Sequence, residues 1–369
     1  MTKIGVVGNG SMGRRRIKHA QMYGYKDITG WDVRPDRRYE VEEKFGIKTS
    51  KSQKDFESSD FDAIFICVPP ADHYYYMKLA VKNGWNFMVE NPVWHKTKGL
   101  DALQKDVQKK KLVANVSCNV RFLKATQRIK KLVQEGAIGP VLSGVVEIGE
   151  YLPDWHPYEP YTDYYPSKRE MGGGLDAMCD LDWLVDIFGD IKKMNAVYAK
   201  KSKLKIDTYD IIDFVLEFKS GPQIILHTDM LQTPYGRSTK LISENGIIVW
   251  DYKAAIVKYY DRRTKQWTDF DESGAGATPG KGGEKSWAEQ MYVDDSYYFF
   301  ECLKGEAKPL NTIESNARLL KQLLEAIGYP IRGKTAPRSA RDSKASNGAS
   351  AGAVSDGMKK RRVHNSKVL

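Results

Sequence analysis

Cysteine is scarce in this chain, and long apolar runs are missing. The four cysteines (Cys67, Cys118, Cys179 and Cys302) lie far apart among 369 residues, with no C-x-x-C pair. That spacing argues against a disulfide framework or a zinc knuckle and fits a reducing, cytoplasmic setting. No apolar stretch reaches the roughly 18 residues a membrane span needs, so no membrane partner is expected. There is no internal repeat and no group of residues at metal-ligand spacing, so no metal is expected. The chain opens directly on a core strand, which is not the pattern of a signal peptide.

Charge is unevenly spread. The formal net charge is +11, but residues 331–369 carry ten Lys/Arg against two Asp, which leaves the rest of the chain at +3. This segment is rich in Ser, Ala and Gly and nearly devoid of large apolar side chains. It cannot bury enough surface to offset the entropy of ordering, so a disordered basic tail is predicted over 331–369. Lys359-Lys360-Arg361-Arg362 reads either as a polyanion-binding or nuclear-import patch or, more simply, as a solvated terminus. Nucleic acid is therefore not an expected partner.

What the chain does have begins at once. An apolar run ending at Val7 leads into Gly8-Asn9-Gly10-Ser11-Met12-Gly13, then into a helical stretch from Arg14 to Tyr23. This is a G-x-G-x-x-G turn between strand and helix. Gly8 permits the tight turn, Gly10 lets backbone approach a pyrophosphate, and Gly13 lets helix and strand pack closely. The helix N-terminus offers free N–H donors to phosphates. A second strand, Asp27 to Trp31, ends at Asp32, nineteen residues after Gly13. A carboxylate there binds the adenosine ribose hydroxyls of NAD. Arg34, Arg37 and Arg38 follow and keep NADP open as the cofactor. The acid at the strand end repels a 2′-phosphate and favours NAD.

The βα rhythm continues. Asp62 to Val68, Trp85 to Val89 and Leu112 to Cys118 read as strands, with helices over Asp72 to Asn83 and Leu100 to Lys110. Near-continuous apolar strands alternating with helices mean a parallel, doubly wound sheet. Gly8, Asp32, Pro69, Pro70, Glu90 and Asn119 fall at strand ends and should line one crevice. After a helix from Lys124 to Glu135, strands dominate from Val141 to Tyr260, joined by turns such as Glu244-Asn245-Gly246. The expected architecture is α/β: an N-terminal Rossmann domain over 1–121, an α+β domain with a mostly antiparallel open sheet over 122–330, and the tail over 331–369. The open face of that second sheet needs covering, so a homodimer or homotetramer through it is expected. Ser273 to Lys285 reads as a mobile loop.

From Glu90-Asn91-Pro92 onward the chain resembles the Gfo/Idh/MocA oxidoreductases, which pair a dinucleotide fold with an E-x-P tripeptide and a trailing open-sheet domain. The likeness extends to about Gly328. The segments Gly149 to Pro157, Lys168 to Gly174 and Asp229 to Tyr235 resemble a bacterial branch that makes lipopolysaccharide or nonulosonate sugars. The resemblance implies NAD(P)-dependent hydride transfer at a hydroxyl or keto group of a sugar or nucleotide sugar. It also implies a lysine in E-K-P that polarises the reacting oxygen and a histidine acid/base on the helix after the triple glycine. Both positions differ here. The lysine position is Asn91, and Cys179 falls at the histidine position when this chain is given a two-residue deletion next to the glycines.

That leaves the acid/base open. Asp176, Cys179, Asp180, Asp182, Trp183 and Asp186 share one arc of the helix, opposite Ala177, Met178, Leu181, Leu184, Val185 and Phe188. Cys179 among carboxylates would be a poor base at neutral pH. Asp176 or Asp180, raised by its neighbours, could serve instead, or the arc is simply a solvated acidic face. His156, beside Trp155 in the Asp154-Trp155-His156 loop, is a further candidate. His73 is expected to shape the cofactor site. Asn119 and Arg121 match an N-x-R-F string in the family. Arg121 reads as a substrate anchor or as a domain-packing ion pair. Lys168 and Arg169 read as contacts to an anionic sugar or as a solvated pair. Trp155 and Lys168 complete the substrate-side set. His95 and Lys96, just past Pro92, are weak substitutes for the missing lysine. A chain that binds NAD as a sensor or scaffold, without turnover, is the alternative.

Overall fold

The computed structural model describes residues 2–273 and 287–329. The basic tail, and the predicted mobile loop beyond Ser273, lie outside the described residues. Six strands form the first sheet: β1 (Lys3–Val7), β2 (Asp27–Trp31), β3 (Lys48–Thr49), β4 (Ala63–Ile66), β5 (Asn86–Val89) and β6 (Ala114–Val116). Their order is β3-β2-β1-β4-β5-β6, and every pairing is parallel. The helices between them are α1 (Ser11–Tyr23), α2 (Pro35–Phe45), α3 (Gln53–Glu57), α4 (Pro70–Asn83) and α5 (Leu100–Lys109). The strand order reverses between β1 and β4, and the crevice outside their carboxyl ends is where such sheets bind ligands. Ile4, Val6, Ile64 and Ile66 are fully buried, as strands covered on both faces require.

The second half opens with α6 (Lys124–Gln134) and β7 (Val141–Gly149) and runs through short 3-10 turns to α7 (Met178–Phe188). Seven strands follow: β8 (Ile191–Ala199), β9 (Ile211–Phe218), β10 (Gln223–Asp229), β11 (Gly236–Ser243), β12 (Gly246–Asp251), β13 (Ile256–Asp261) and β14 (Gln266–Asp271). They join β7 in an eight-stranded sheet that is antiparallel except for the β7–β10 pair. One face packs into the core through Phe214, Leu216, Ile224 and Leu226, while Val197, Val215, Ile225 and Ile242 stay exposed on alternate positions. Helices α8 (Trp287–Lys304) and α9 (Ile313–Ala326) complete the fold. Phe299 and Phe300 of α8 bury among Ile4, Val6 and Phe65 of the first domain. The C-terminal part of the chain therefore supplies some of the Rossmann core, which a division at residue 121 does not anticipate. Among the described residues no helix is long and apolar enough to cross a membrane, and no His/Cys/Asp/Glu group could hold a metal ion.

Candidate active site

The glycine turn is built as the sequence requires. Gly8 has φ +86°, and a Cβ there or at Gly13 would collide with the Cys67 or Gly8 carbonyl oxygen. Gly10 differs, because a Cβ on it would meet only the tip of Arg37, 3.3 Å away. That open approach beside the N-terminus of α1 suits a dinucleotide pyrophosphate. The Asp32 carboxylate lies at the same place, 5% exposed, accepting from Asn9 N at 2.7 Å and Arg34 N at 2.9 Å. Asn9 brings its backbone to the turn, while its side chain tucks against Gly30. Ser11 Oγ accepts a 2.8 Å bond from Arg15, whose guanidinium also reaches the Met12 sulfur. Arg38 donates to the Asp32 carbonyl and lies over the Trp31 ring.

Further along the crevice, Pro69 precedes α4 and Pro70 opens it, packing on Gly172 from the second domain. His73 is buried, with its ring nitrogens 2.9 Å from the Pro92 carbonyl and 2.8 Å from that of Val68. Burial holds its pKa below the ordinary range. It braces one strand-end turn against another. Glu90 is gripped by Arg16, through Nε at 2.8 Å and Nη2 at 3.2 Å. Arg16 is itself fully buried and also donates to Asp295, Ser117 and Ser296. Burial works against its charge, but Glu90 and Asp295 outweigh burial and hold its pKa above the ordinary value. Asn91 is joined to Pro92 by a cis peptide bond. Its Oδ1 accepts from Asn316 at 3.4 Å, and its Nδ2 is buried without a partner. Asn119 begins a 3-10 turn and is half-buried.

Helix α7 departs from a solvated acidic face. Asp180 and Asp182 are buried, and Asp186 is half-buried; all three are paired. Arg121 grips Asp182 with two 2.7 Å bonds and reaches Asp186 and the Leu310 carbonyl. Of the two readings of Arg121, substrate anchor or packing ion pair, these contacts favour the second, because they occupy its donors. Asp180 is held by Arg237 at 2.9 Å and by Trp183 Nε1 at 3.1 Å. It is not a free base. Asp176 stands apart. Its Oδ1 accepts a 2.6 Å bond from the Tyr165 hydroxyl, and its Oδ2 is buried with no partner. Burial pushes the Asp176 carboxyl up to about 6, against the opposing pull of the Tyr165 bond. Burial, with the Asp176 charge behind it, holds the Tyr165 hydroxyl well above its ordinary pKa, so it stays a proton donor to Asp176. Cys179 has its thiol pKa pushed well up, by burial first and by Asp180 and Asp176 second.

His156 keeps other company. Its ring lies against Tyr158 and Tyr164, and burial with Arg15 and Arg14 pushes its pKa down. This places it with the arginines of the cofactor turn, whereas Asp176 lies with Tyr165 and Cys179. Trp155 Nε1 is buried without a partner. Lys168 is half-buried, and its carbonyl accepts from Gly173 N. Arg169 stacks on Tyr209 and Tyr329 rather than standing in solvent. His95 is buried beneath Gly172, with its pKa lowered to about 4 by burial and by Lys96. Lys96 is exposed, over the Trp94 ring. Sequence reasoning missed Tyr165, Arg16 and Arg237. No local pattern marks them, since each meets its partner only in the folded chain.

Both halves of the chain match known proteins. Residues 2–118 match the family described as "Oxidoreductase family, NAD-binding Rossmann fold", and residues 126–249 match the "GFO/IDH/MocA C-terminal domain". Levoglucosan dehydrogenase of Pseudarthrobacter phenanthrenivorans is 25% identical over 214 residues, covering 53% of each chain. Myo-inositol 2-dehydrogenase of Thermotoga maritima is 27% identical over 232 residues, covering 59% of this chain and 66% of that one. The matched stretch thus spans about half to two thirds of these relatives. A levoglucosan dehydrogenase structure in complex with NADH and levoglucosan superposes with a TM-score of 0.74 at 17% identity, covering 89% of this chain and 97% of that one. An Agrobacterium radiobacter oxidoreductase structure, in complex with NAD+, L-tartaric acid and magnesium, gives 0.75 at 16% identity over 90% and 97%. At those identities the structures speak for the fold. The first domain is an NAD-binding Rossmann domain.

Proposed function

Since this chain belongs to the Gfo/Idh/MocA oxidoreductases, we propose that it exchanges hydride between NAD and a hydroxyl or keto carbon of a sugar or nucleotide sugar, with Asp176 and Tyr165 handling the proton. The observation that carries this reading is the Asp176 carboxylate, half satisfied by Tyr165 and otherwise buried without a partner. A group with a pKa of about 6 is mostly ionised at neutral pH, yet close enough to give its proton back. Neither Asn91 nor Cys179 offers that: an amide does not titrate, and the thiol is held protonated.

Gly8 to Gly13 and Asp32 would hold NAD, which when bound supplies the hydride acceptor. Asn91 Nδ2 has an unspent donor for the reacting oxygen. It orients that oxygen without the charge of the family's lysine. Asp176 takes the hydroxyl proton, directly or through Tyr165, and returns it in the reverse direction. Trp155 and Lys168 line the substrate side. A polyhydroxylated ring is the expected substrate, in keeping with the sugar and inositol relatives, and the strings around Trp155, Lys168 and Tyr235 favour a bacterial surface-sugar precursor. The exposed apolar positions on the second sheet, Val197, Val215, Ile225 and Ile242, support assembly into a homodimer or homotetramer.

A second reading has its own support: the altered residues at the family's lysine and histidine positions suit a dinucleotide-binding sensor that has lost turnover. The two separate in one assay. Purified protein is given NAD or NADH with a panel of sugars and nucleotide sugars, and nicotinamide absorbance is followed. Turnover that disappears in Asp176→Asn supports the enzyme. Cofactor binding with no turnover across the panel supports the sensor.

A further inference from the structure

The arginines after β2 have a partner the sequence does not suggest. Glu159 comes from the loop between Trp155 and Tyr164 in the second domain. It accepts from Arg37 Nη2 at 3.1 Å and 3.0 Å and from Arg34 Nη1 at 3.2 Å. Arg37 also reaches toward Asp32, with Nη1 3.8 Å from Oδ2, and among the described residues its tip is what a Cβ on Gly10 would meet. This contact is therefore at the adenosine end of the cofactor crevice. The loop is shaped to make it. Tyr164 donates from its hydroxyl to the carbonyls of His156 and Glu159, and Glu159 N donates to the His156 carbonyl at 3.0 Å. One position earlier, the Tyr158 hydroxyl accepts from Arg14 at 3.2 Å. Glu159 is mostly buried, with 17% of its side chain exposed.

We propose that Glu159 is a cofactor-selecting residue: its carboxylate sits on Arg34 and Arg37, the pair that would otherwise grip the 2′-phosphate of NADP, and so turns the chain toward NAD. NAD and NADP differ only by that phosphate. Two guanidinium groups following an acidic strand end would make a serviceable phosphate fork. With Glu159 seated on them, a 2′-phosphate must displace an ion pair and then face two carboxylates, Asp32 and Glu159. Selection by a repulsive element against the unwanted ligand needs no added contact to the wanted one. The proposal rests on the first domain binding NAD.

The test is the ratio of NADPH to NADH affinity, by fluorescence titration of the full chain and of Glu159→Gln and Glu159→Ala. Removing one like charge beside a phosphate in a partly enclosed site is worth about tenfold or more. Both variants should shift the ratio toward NADPH by that factor. Adding Arg37→Ala to Glu159→Ala should reverse the shift. A loop that merely ties the domains together would move both affinities by the same factor and leave the ratio alone. An unchanged ratio in both variants, with circular dichroism showing them folded, overturns the proposal. If the unaltered chain binds neither nucleotide, the NAD assignment itself falls, which is a different result.

Discussion

The Tyr165 hydroxyl donates a 2.6 Å hydrogen bond to Asp176, and the other Asp176 oxygen is buried with no partner. The pair brackets the triple-glycine segment, just ahead of α7. It offers a proton acceptor in a site whose cysteine is held protonated by burial. Loss of Asp176 should therefore cost what loss of a general base costs. Asp176→Asn is expected to lower kcat by about 10²- to 10⁴-fold with little effect on NADH affinity. Steady-state rates and a cofactor titration on the same preparation check this.

The pH profile follows from the same pair. Asp176 must be ionised to accept a proton, so the rate of hydroxyl oxidation should rise as pH passes through about 6. The Tyr165 bond pulls that pKa down against burial. Tyr165→Phe should therefore move the acidic limb of kcat/KM to higher pH. A limb that stays in place would mean that Asp176 is not the group being titrated.

Two glycines of one turn should behave differently. A Cβ at Gly13 collides with the backbone of Gly8, whereas one at Gly10 meets only the movable tip of Arg37. Gly13→Ala should destabilise the fold by about 1–3 kcal/mol, the usual range for overpacking, and abolish NADH binding. Gly10→Ala should leave the melting temperature nearly unchanged and weaken NADH binding. Thermal melts and titrations of both variants are the measurement.

How much of this was legible in the sequence varies with the kind of contact. The boundaries of β2 and the tight backbone at Gly8 and Gly13 followed from local chemistry, because strand, turn and helix are neighbours in the chain. Helix α2 and strand β3 did not stand out. Only Val41 of α2 is buried, and β3 is two residues long. Strand β14 was equally silent, with nearly every residue exposed. The pairing of the acidic arc of α7 was not legible, and a solvated face stayed among its readings, because its cations are far off in sequence. Arg121 comes from the 3-10 turn before α6 and Arg237 from β11. Tyr165 was hidden for the same reason, since only the folded glycine segment brings it to Asp176.

Arg121 gives a way to tell packing from binding. Breaking a buried ion pair by removing one partner costs about 3–5 kcal/mol, because the other charge is left unpaired. Arg121→Leu should lose that much stability in urea unfolding, through Asp182 and Asp186. A substrate anchor would instead raise KM and leave stability alone.

His227, between Asp213 at 2.6 Å and Asp229 at 3.2 Å, links stability to pH. The hydrogen bond to Asp229, helped by Asp213, raises its pKa to about 9 against the effect of burial. A raised folded pKa contributes stability that is complete below the unfolded value of about 6.5 and is lost as pH climbs through 9. The site is about one third exposed, so screening reduces the contribution to about 1 kcal/mol. The unaltered chain should lose that amount between pH 6.5 and 9.5, and His227→Ala should not, in urea unfolding at both pH values.

The measurement that bears most directly on the whole account is nicotinamide absorbance during incubation of the chain with NAD and a panel of sugars and nucleotide sugars, with Asp176→Asn alongside. NADH should accumulate with at least one polyhydroxylated substrate, and Asp176→Asn should slow that accumulation by about 10²-fold or more. NADH binding without turnover anywhere in the panel, or an undiminished rate in Asp176→Asn, would contradict this.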